Sequence, residues 1–166
     1  MNEHLKGGFT YLVEVIDRDG QLIDSEVVKN LMPAEGIAHV LNTVLKGGAQ
    51  NTSWSIGLYE GNYNPVGSET AAGFPAAATE CSTYSEATRV QFVPGAIVDG
   101  SLDNAANRAE FTFTAAKTIY GGFIASASAK GSTSGTLLSV VRFGSPKSLD
   151  SGSVLRVTAG FTMASA

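Results

Sequence analysis

The sequence predicts a mainly β chain: an antiparallel β-sandwich or jelly-roll-like domain carrying one short amphipathic helix. Three observations carry that prediction. About eight short segments read as strands, several of them alternating apolar and polar residues at the two-residue period. Gly- and Ser-rich turns separate them, as in antiparallel sheets rather than in βαβ units. Only residues 33–46 repeat their apolar positions at the 3.6-residue period of a helix.

Residues 9–17 (FTYLVEVID) set Phe9, Tyr11, Val13 and Val15 on one face and Leu12 and Ile16 on the other. Asp19-Gly20 suits a hairpin turn, so residues 21–28 are expected to return as the second strand. The helix 33–46 (PAEGIAHVLNTVLK) follows, with Ile37, Val40, Leu41, Val44 and Leu45 at i, i+3, i+4, i+7 and i+8. A helix this short is marginal alone, so the stripe is expected to be buried against the sheet through Ile37, Leu41 and Val44. Pro33 suits the first turn, and Asn30 has better capping chemistry than Met32. Glu35 and Lys46 complement the helix dipole, and Gly47-Gly48 supplies a left-handed stop.

Residues 52–59 (TSWSIGLY) alternate Trp54, Ile56 and Leu58 with Ser53, Ser55 and Gly57; the interior glycine marks a bulge or a close backbone approach. Residues 60–86 have no period, and Pro65, Gly67, Gly73 and Pro75 interrupt them. Tyr63, Phe74 and Tyr84 need cover there, so this stretch is expected to fold over the domain as a packed loop, with a short helical turn near 76–80. Strands are expected at 88–93 and 109–114, with turns at Pro94-Gly95 and Asp99-Gly100 between them. Residues 117–126 (KTIYGGFIAS) are broken by Gly121-Gly122, as where a strand bends, bulges or receives another chain. Residues 136–143 (TLLSVVRF) read as an interior strand and 144–153 (GSPKSLDSGS) as a turn region. Residues 154–163 alternate again, with Leu155, Val157, Ala159, Phe161 and Met163 expected to face in.

A length of 166 residues suits one domain, 1–166. Eleven Lys and Arg against fifteen Asp and Glu give a net charge of −4 without a block of either sign. That distribution argues against nucleic-acid and membrane-surface partners, which need a basic stripe. With only 16% charged residues, the surface is weakly protected against association, so a homo-oligomer is expected. No stretch reaches the roughly 18 apolar residues of a membrane-spanning helix, and the start lacks the basic region of a signal peptide.

Catalytic chemistry finds little support. The histidines are His4, near the N-terminus, and His39, about 200° around the helix from the apolar stripe. Cys81 stands alone, without CxxC spacing, and reads as an inert small residue. Asp17/Asp19, Glu60/Glu69 and Glu80/Glu86 lack the context of a glycosidase pair. The glycine pairs have neither GxGxxG nor GxxxxGK surroundings. No catalytic, cofactor-binding or metal site is therefore assigned, and the chain is read as a non-enzyme. Tyr59, Tyr63, Phe74 and Tyr84 make either a carbohydrate platform or structural packing, with packing favoured. Tyr59, Asn62, Arg89, Tyr120, Gly121, Gly122 and Arg142 are the candidate protein interface, Tyr and Arg being favoured anchors. Arg89 and Arg142, in apolar strands, are expected to point out from an exposed sheet face.

Three runs bear on identity: residues 30–48 (NLMPAEGIAHVLNTVLKGG), 54–89 (WSIGLYEGNYNPVGSETAAGFPAAATECSTYSEATR) and 107–143 (NRAEFTFTAAKTIYGGFIASASAKGSTSGTLLSVVRF). Together they resemble a family of small virion structural proteins of tailed bacteriophages, head decoration or cement-like and sometimes labelled tail-fibre-like. The resemblance implies a capsid decoration protein, made in the host cytoplasm and placed on the virion surface, whose partner is the major capsid protein and which associates as a trimer or dimer. A neck, tail or fibre-attachment protein is the alternative, and a glycan-binding module a more distant one. Neither heptads nor repeats of a fibre shaft are present.

Overall fold

The computed structural model describes residues 5–165; His4 lies outside them. Among the described residues, ten strands form two antiparallel sheets. In the first, β1 (Leu5–Ile16) lies between β2 (Leu22–Lys29) and β10 (Val154–Ser165). The far edge of β10 pairs with β7 (Ala109–Thr112) and, further along, with β6 (Ser101–Asp103). In the second sheet, β8 (Lys117–Ala125) lies between β3 (Trp54–Tyr59) and β9 (Leu137–Leu149). The short strands β4 (Glu80–Cys81) and β5 (Val90–Phe92) share the outer edge of β3.

The alternation in β1 is borne out. Tyr11, Val13 and Val15 are buried between the sheets with Phe111 of β7, Leu155 and Val157 of β10, Ile56 and Leu58 of β3, Ile124 of β8 and Val141 of β9. The turn is also as expected: Asp17 Oδ1 accepts from the amides of Asp19 and Gln21 at 2.9 and 2.8 Å, and Gly20 takes φ +82°. Of the expected inward row in β10, Leu155, Val157 and Ala159 are buried, but Phe161 is half-buried and Met163 is exposed. A polar chain crosses the core. Asn30 Oδ1 accepts from Phe9 N at 2.8 Å, Asn30 Nδ2 donates to Ser139 Oγ at 2.8 Å, and that hydroxyl meets Tyr11 Oη at 2.7 Å. Asn30 is thus a tie between the sheets and not a helix cap. Burial holds the Tyr11 phenol above its ordinary pKa, the Ser139 hydroxyl opposing in part.

The second sheet is covered on both faces. On its outer side Tyr59 stands opposite Gly121 and Phe123 opposite Gly57, each ring lying over the glycine across the ladder. A side chain at either glycine would collide with the ring, which accounts for Gly57 and Gly121 by close approach. Phe74, in the single helical turn α2 (Phe74–Ala77), closes this layer edge-on against Tyr59 and Phe123 with centroids 5.5 and 5.3 Å away. Residues 60–86 therefore pack as a wall, as expected, with the helical turn slightly earlier than the sequence placed it.

Two corrections concern β9 and the principal helix. The stretch read as a turn, 144–153, is strand as far as Leu149. The ladder with β8 breaks between Ile119 and Gly121, leaving residues 143–146 of β9 without partners on β8. Pro146 falls in that gap, where a missing N–H forfeits no ladder bond. The bulge meets β2: Gly144 N and Ser145 N donate to Glu26, and Lys147 Nζ, with 1% of its side chain exposed, lies 2.7 Å from Glu26 Oε2 and 2.9 Å from Asp24 Oδ2.

The helix α1 (Ala34–Leu45) forms where expected, with Pro33 at its N-cap position and Gly47 left-handed just past its end. Its apolar stripe faces the other way. Ile37, Leu41, Val44 and Leu45 are 46, 51, 72 and 75% exposed, and the buried helix residue is Gly36. Two contacts fix this rotation. A Cβ on Gly36 would lie 2.6 Å from Leu138 O, so that side of the helix rests on the β9 backbone. Glu35 Oε2 accepts from Leu137 N at 2.6 Å and from Ala71 N at 2.8 Å. Val40 and Met32 reach the core from the flank.

The helix rotation is tested by chemical denaturation of two variants. Leu41→Ala is expected to stay within about 0.5 kcal/mol of the parent, as for a surface position. Gly36→Ala, which would normally stabilise a helix by about 0.5–1 kcal/mol, is expected to destabilise here because the methyl meets backbone.

The β2–β9 tie makes stability depend on pH. Burial alone raises the Glu26 pKa, but the Lys147 ammonium and the amides of Gly144 and Ser145 overcome it and hold the carboxyl below its usual range. Its stabilisation is complete above the unfolded value of about 4.3 and is lost as pH falls through the lower folded value. Burial opposes the Lys147 charge, yet Glu26 and Asp24 raise its pKa, so that part persists below about 10.4 and is lost as pH rises through the folded value. Urea midpoints measured from pH 7 down to 3 are expected to show the parent's advantage over Lys147→Met shrinking below about pH 4.3.

Candidate interaction surface

The candidate residues divide sharply between core and surface. Tyr59 is fully buried under Phe74. Gly121 and Gly122 sit in an interior strand paired on both sides, to Tyr59 and Leu58 of β3 and to Arg142 and Val141 of β9, so no edge remains there for another chain. The expectation that Arg89 points outward is overturned. It is 2% exposed, and its guanidinium makes a two-bond fork with the Glu80 carboxylate at 2.8 and 2.7 Å. Its remaining donors reach Ala127 O at 2.8 Å and Ser132 O at 3.0 Å, and Phe123 lies 5.0 Å from its charged carbon. Glu80 also accepts from Gly131 N at 3.0 Å, so the pair clamps the 126–136 loop onto β4 and β5.

Asn62, Tyr120 and Arg142 do meet near the surface. Arg142 donates to Asn62 Oδ1 at 2.6 Å and to the Tyr63 carbonyl, and its charge lies 5.7 Å from the Tyr120 ring centroid. Each of its amino groups therefore has one partner within the chain, which holds the guanidinium against the 62–63 segment. The aromatic residues weighed as a platform are turned inward. Tyr59, Phe74 and Tyr84 are at most 4% exposed, and only Tyr63 is half-buried.

Groups with catalytic potential are engaged structurally. Cys81 is buried, and that burial pushes its thiol up to about 11, away from the thiolate a nucleophile or ligand needs. Glu60 pairs with Lys117 at 2.8 Å, Glu69 accepts from the Tyr63 hydroxyl at 2.6 Å, and Glu86 accepts from Thr112 N. Among the described residues, no group of three or more His, Cys, Asp or Glu is placed to hold a metal ion. Nor, among them, is any helix long and apolar enough to cross a membrane.

His39 follows the helix rotation. Because the stripe faces out, the residue about 200° from it faces the body. Its ring meets Trp54 edge-on at 5.4 Å, and its Nε2 is 3.4 Å from Asn51 Nδ2. This pair stands in the wall of a cavity of about 400 Å³ between α1 and the end of the sandwich, with Phe9, Phe92, Pro94 and Phe161 on its other sides. Among the described residues, no Asp, Glu, Lys or Arg lines it. Thr43 Oγ1, also in the wall, is buried without a hydrogen-bond partner. An uncharged cavity of this size accepts apolar groups edged by hydrogen-bonding atoms and repels ions.

Sequence reasoning missed this cavity and the outward stripe. The stripe was visible as a pattern, but its direction depended on Gly36 and Glu35. The cavity draws on segments as separated as Phe9 and Phe161, and no local signal joins them.

Arg89→Ala is expected to lower the unfolding free energy by about 3–5 kcal/mol, because it strands the buried Glu80 carboxylate. Arg142→Ala, half-buried at the surface, is expected to cost far less; equal losses in calorimetry would contradict this division of roles. No protein-family model matches the chain, and no curated protein matches it.

Proposed function

We propose that the chain is a non-enzymatic virion structural protein, a bacteriophage capsid decoration or cement protein that binds the major capsid protein and stabilises its shell. The outward apolar face of α1 carries this reading. On a rigid two-sheet body with few charges, exposed Ile37, Leu41, Val44 and Leu45 make a surface that water does not favour and that assembly would cover. The resemblance of residues 30–48, 54–89 and 107–143 to small virion proteins supplies the context. Many copies bound across a shell let modest contacts act together.

A neck, tail or fibre-attachment component is the second reading, since an apolar face on a small β body suits an adaptor equally. Glycan binding ranks last, the inward packing of Tyr59, Phe74 and Tyr84 counting against a sugar platform. A plain sandwich is favoured over a jelly roll, because the hairpins β1–β2 and β8–β9 each stay within one sheet.

Copy number in purified virions, by quantitative mass spectrometry and imaging, decides between the first two readings. Stoichiometry near that of the major capsid protein is expected. A few copies confined to one vertex would reject the cement role in favour of neck or tail.

A further inference from the structure

The cavity beside α1 has a counterpart on the same face. Val44, 72% exposed, belongs both to the cavity wall and to the outward stripe, so the opening continues into the apolar surface of the helix. From Ala34 to Leu45 the exposed positions are Ala34, Ile37, Ala38, Leu41, Asn42, Val44 and Leu45, none of them charged. The first exposed charge is Lys46, at the C-cap of the helix and two residues past the wall residue Val44.

Across the opening, the chain leaves the wall residue Pro94, runs into a tight turn and returns to the wall at Leu102. Val98 and Ser101 exchange backbone hydrogen bonds of 2.8 and 2.9 Å, and Asp99 and Gly100 take φ of +48° and +74°. That turn projects Ile97 and Val98, 74% and 63% exposed, with Asp99 next to them. It is braced from behind: Met163 N donates to Gly100 O at 2.9 Å, and a Cβ on Gly100 would lie 2.7 Å from Met163 O. The chain thus carries a pre-formed apolar knob beside an apolar hole, with Asp99 next to the knob and Lys46 two residues past the Val44 of the hole.

We propose that the occupant of this cavity is the Ile97-Val98 knob of a second copy of the chain. Knob and hole lie side by side because Phe92, Pro94 and Leu102 belong to the wall of one and the root of the other. A twofold axis between them places each knob in the opposite hole at once and closes the assembly at two copies. Asp99 adjoins the knob and Lys46 follows the Val44 of the hole, so the charges flanking the two halves of the contact are of opposite sign, as self-association favours. A foreign partner would require only the hole and would leave both the knob and this charge relation without a role. Because the knob is already ordered, its insertion loses little conformational freedom. The proposal is independent of particle location, since dimerisation is read on purified protein and copy number on virions.

Sedimentation equilibrium of the full chain tests it. A dimer is expected, with Ile97→Asp and Val44→Asp each raising its dissociation constant about tenfold or more. Both sites are exposed, and unchanged circular dichroism and thermal midpoints would show that the monomer still folds. Lys46→Glu and Asp99→Lys are each expected to weaken the dimer, and their combination to restore it. A parent that stays monomeric to about 100 μM, weaker than the micromolar range of modest complexes, would overturn the proposal. So would a trimer, a dimer indifferent to Ile97→Asp and Val44→Asp, or failure of the combined charge exchange to restore association.

Discussion

The orientation of the helix, and with it the character of one whole face, depends on the Glu35 carboxylate. One of its oxygens takes the amide of Leu137 at the start of β9 and the amide of Ala71 in the long loop, so helix, sheet and loop wall are joined at one atom. Charge-assisted bonds to amides are among the stronger hydrogen bonds a protein makes, about 1.5–3 kcal/mol each. Gly36, the next residue, brings the helix onto the carbonyls of Leu137 and Leu138, a separation that any larger residue would prevent. With residues 35 and 36 held inward, the period of an α-helix turns Ile37, Leu41 and Val44 outward. The exposed stripe follows from this clamp, not from loose packing.

The same economy governs the charges. Buried Arg89 and Lys147 serve internal ties, one holding the 126–136 loop to Glu80 and the other holding the β9 bulge to Asp24 and Glu26. A buried pair of this kind contributes little net stability relative to an apolar replacement, but it tolerates few alternative arrangements, because misplacing either partner leaves a bare charge in the interior. In a chain with only 16% charged residues, using them inside leaves the outside correspondingly neutral. Rigidity within and an apolar face without are two results of one distribution of charge.

Much of the architecture was legible because it depends on short-range pattern. The inward row Tyr11, Val13 and Val15 and the Asp17–Gly20 turn have causes within a few positions, while Gly57 and the aromatic residues of 60–86 left a local mark whose partner, Phe123, lies far along the chain. What escaped depends on distant partners. Glu35 is 102 residues from Leu137, and Asn30 is 109 from Ser139, so the helix direction and the cross-sheet tie had no local trace. Strand β9 runs through Gly144-Ser145-Pro146 because its neighbour breaks register there, a property of the pair and not of either sequence. Strand β6 is three residues long, and beside it Asn104 Oδ1 takes the amide of Ala159 at 2.7 Å, one side chain standing in where backbone pairing lapses. Arg89 did leave a clue: an arginine in an apolar strand nine residues after Glu80 is as compatible with a buried pair as with an exposed anchor.

The outward face also bears on how the chain would reach the assembled state proposed above. An apolar stripe that stays exposed in the folded chain differs from one exposed by failed folding, because its residues are already ordered on a helix whose rotation is fixed. Association then requires little further ordering, and the contact is set by shape more than by induced fit. Selectivity cannot come from a pattern of charges on the stripe itself, since it has none. It must come from the relief around it: the opening beside Trp54, the turn at Asp99-Gly100 and the single lysine at the end of α1. A neutral surface of this kind discriminates by steric exclusion, and the residues that set its relief matter as much as those that supply its apolar area.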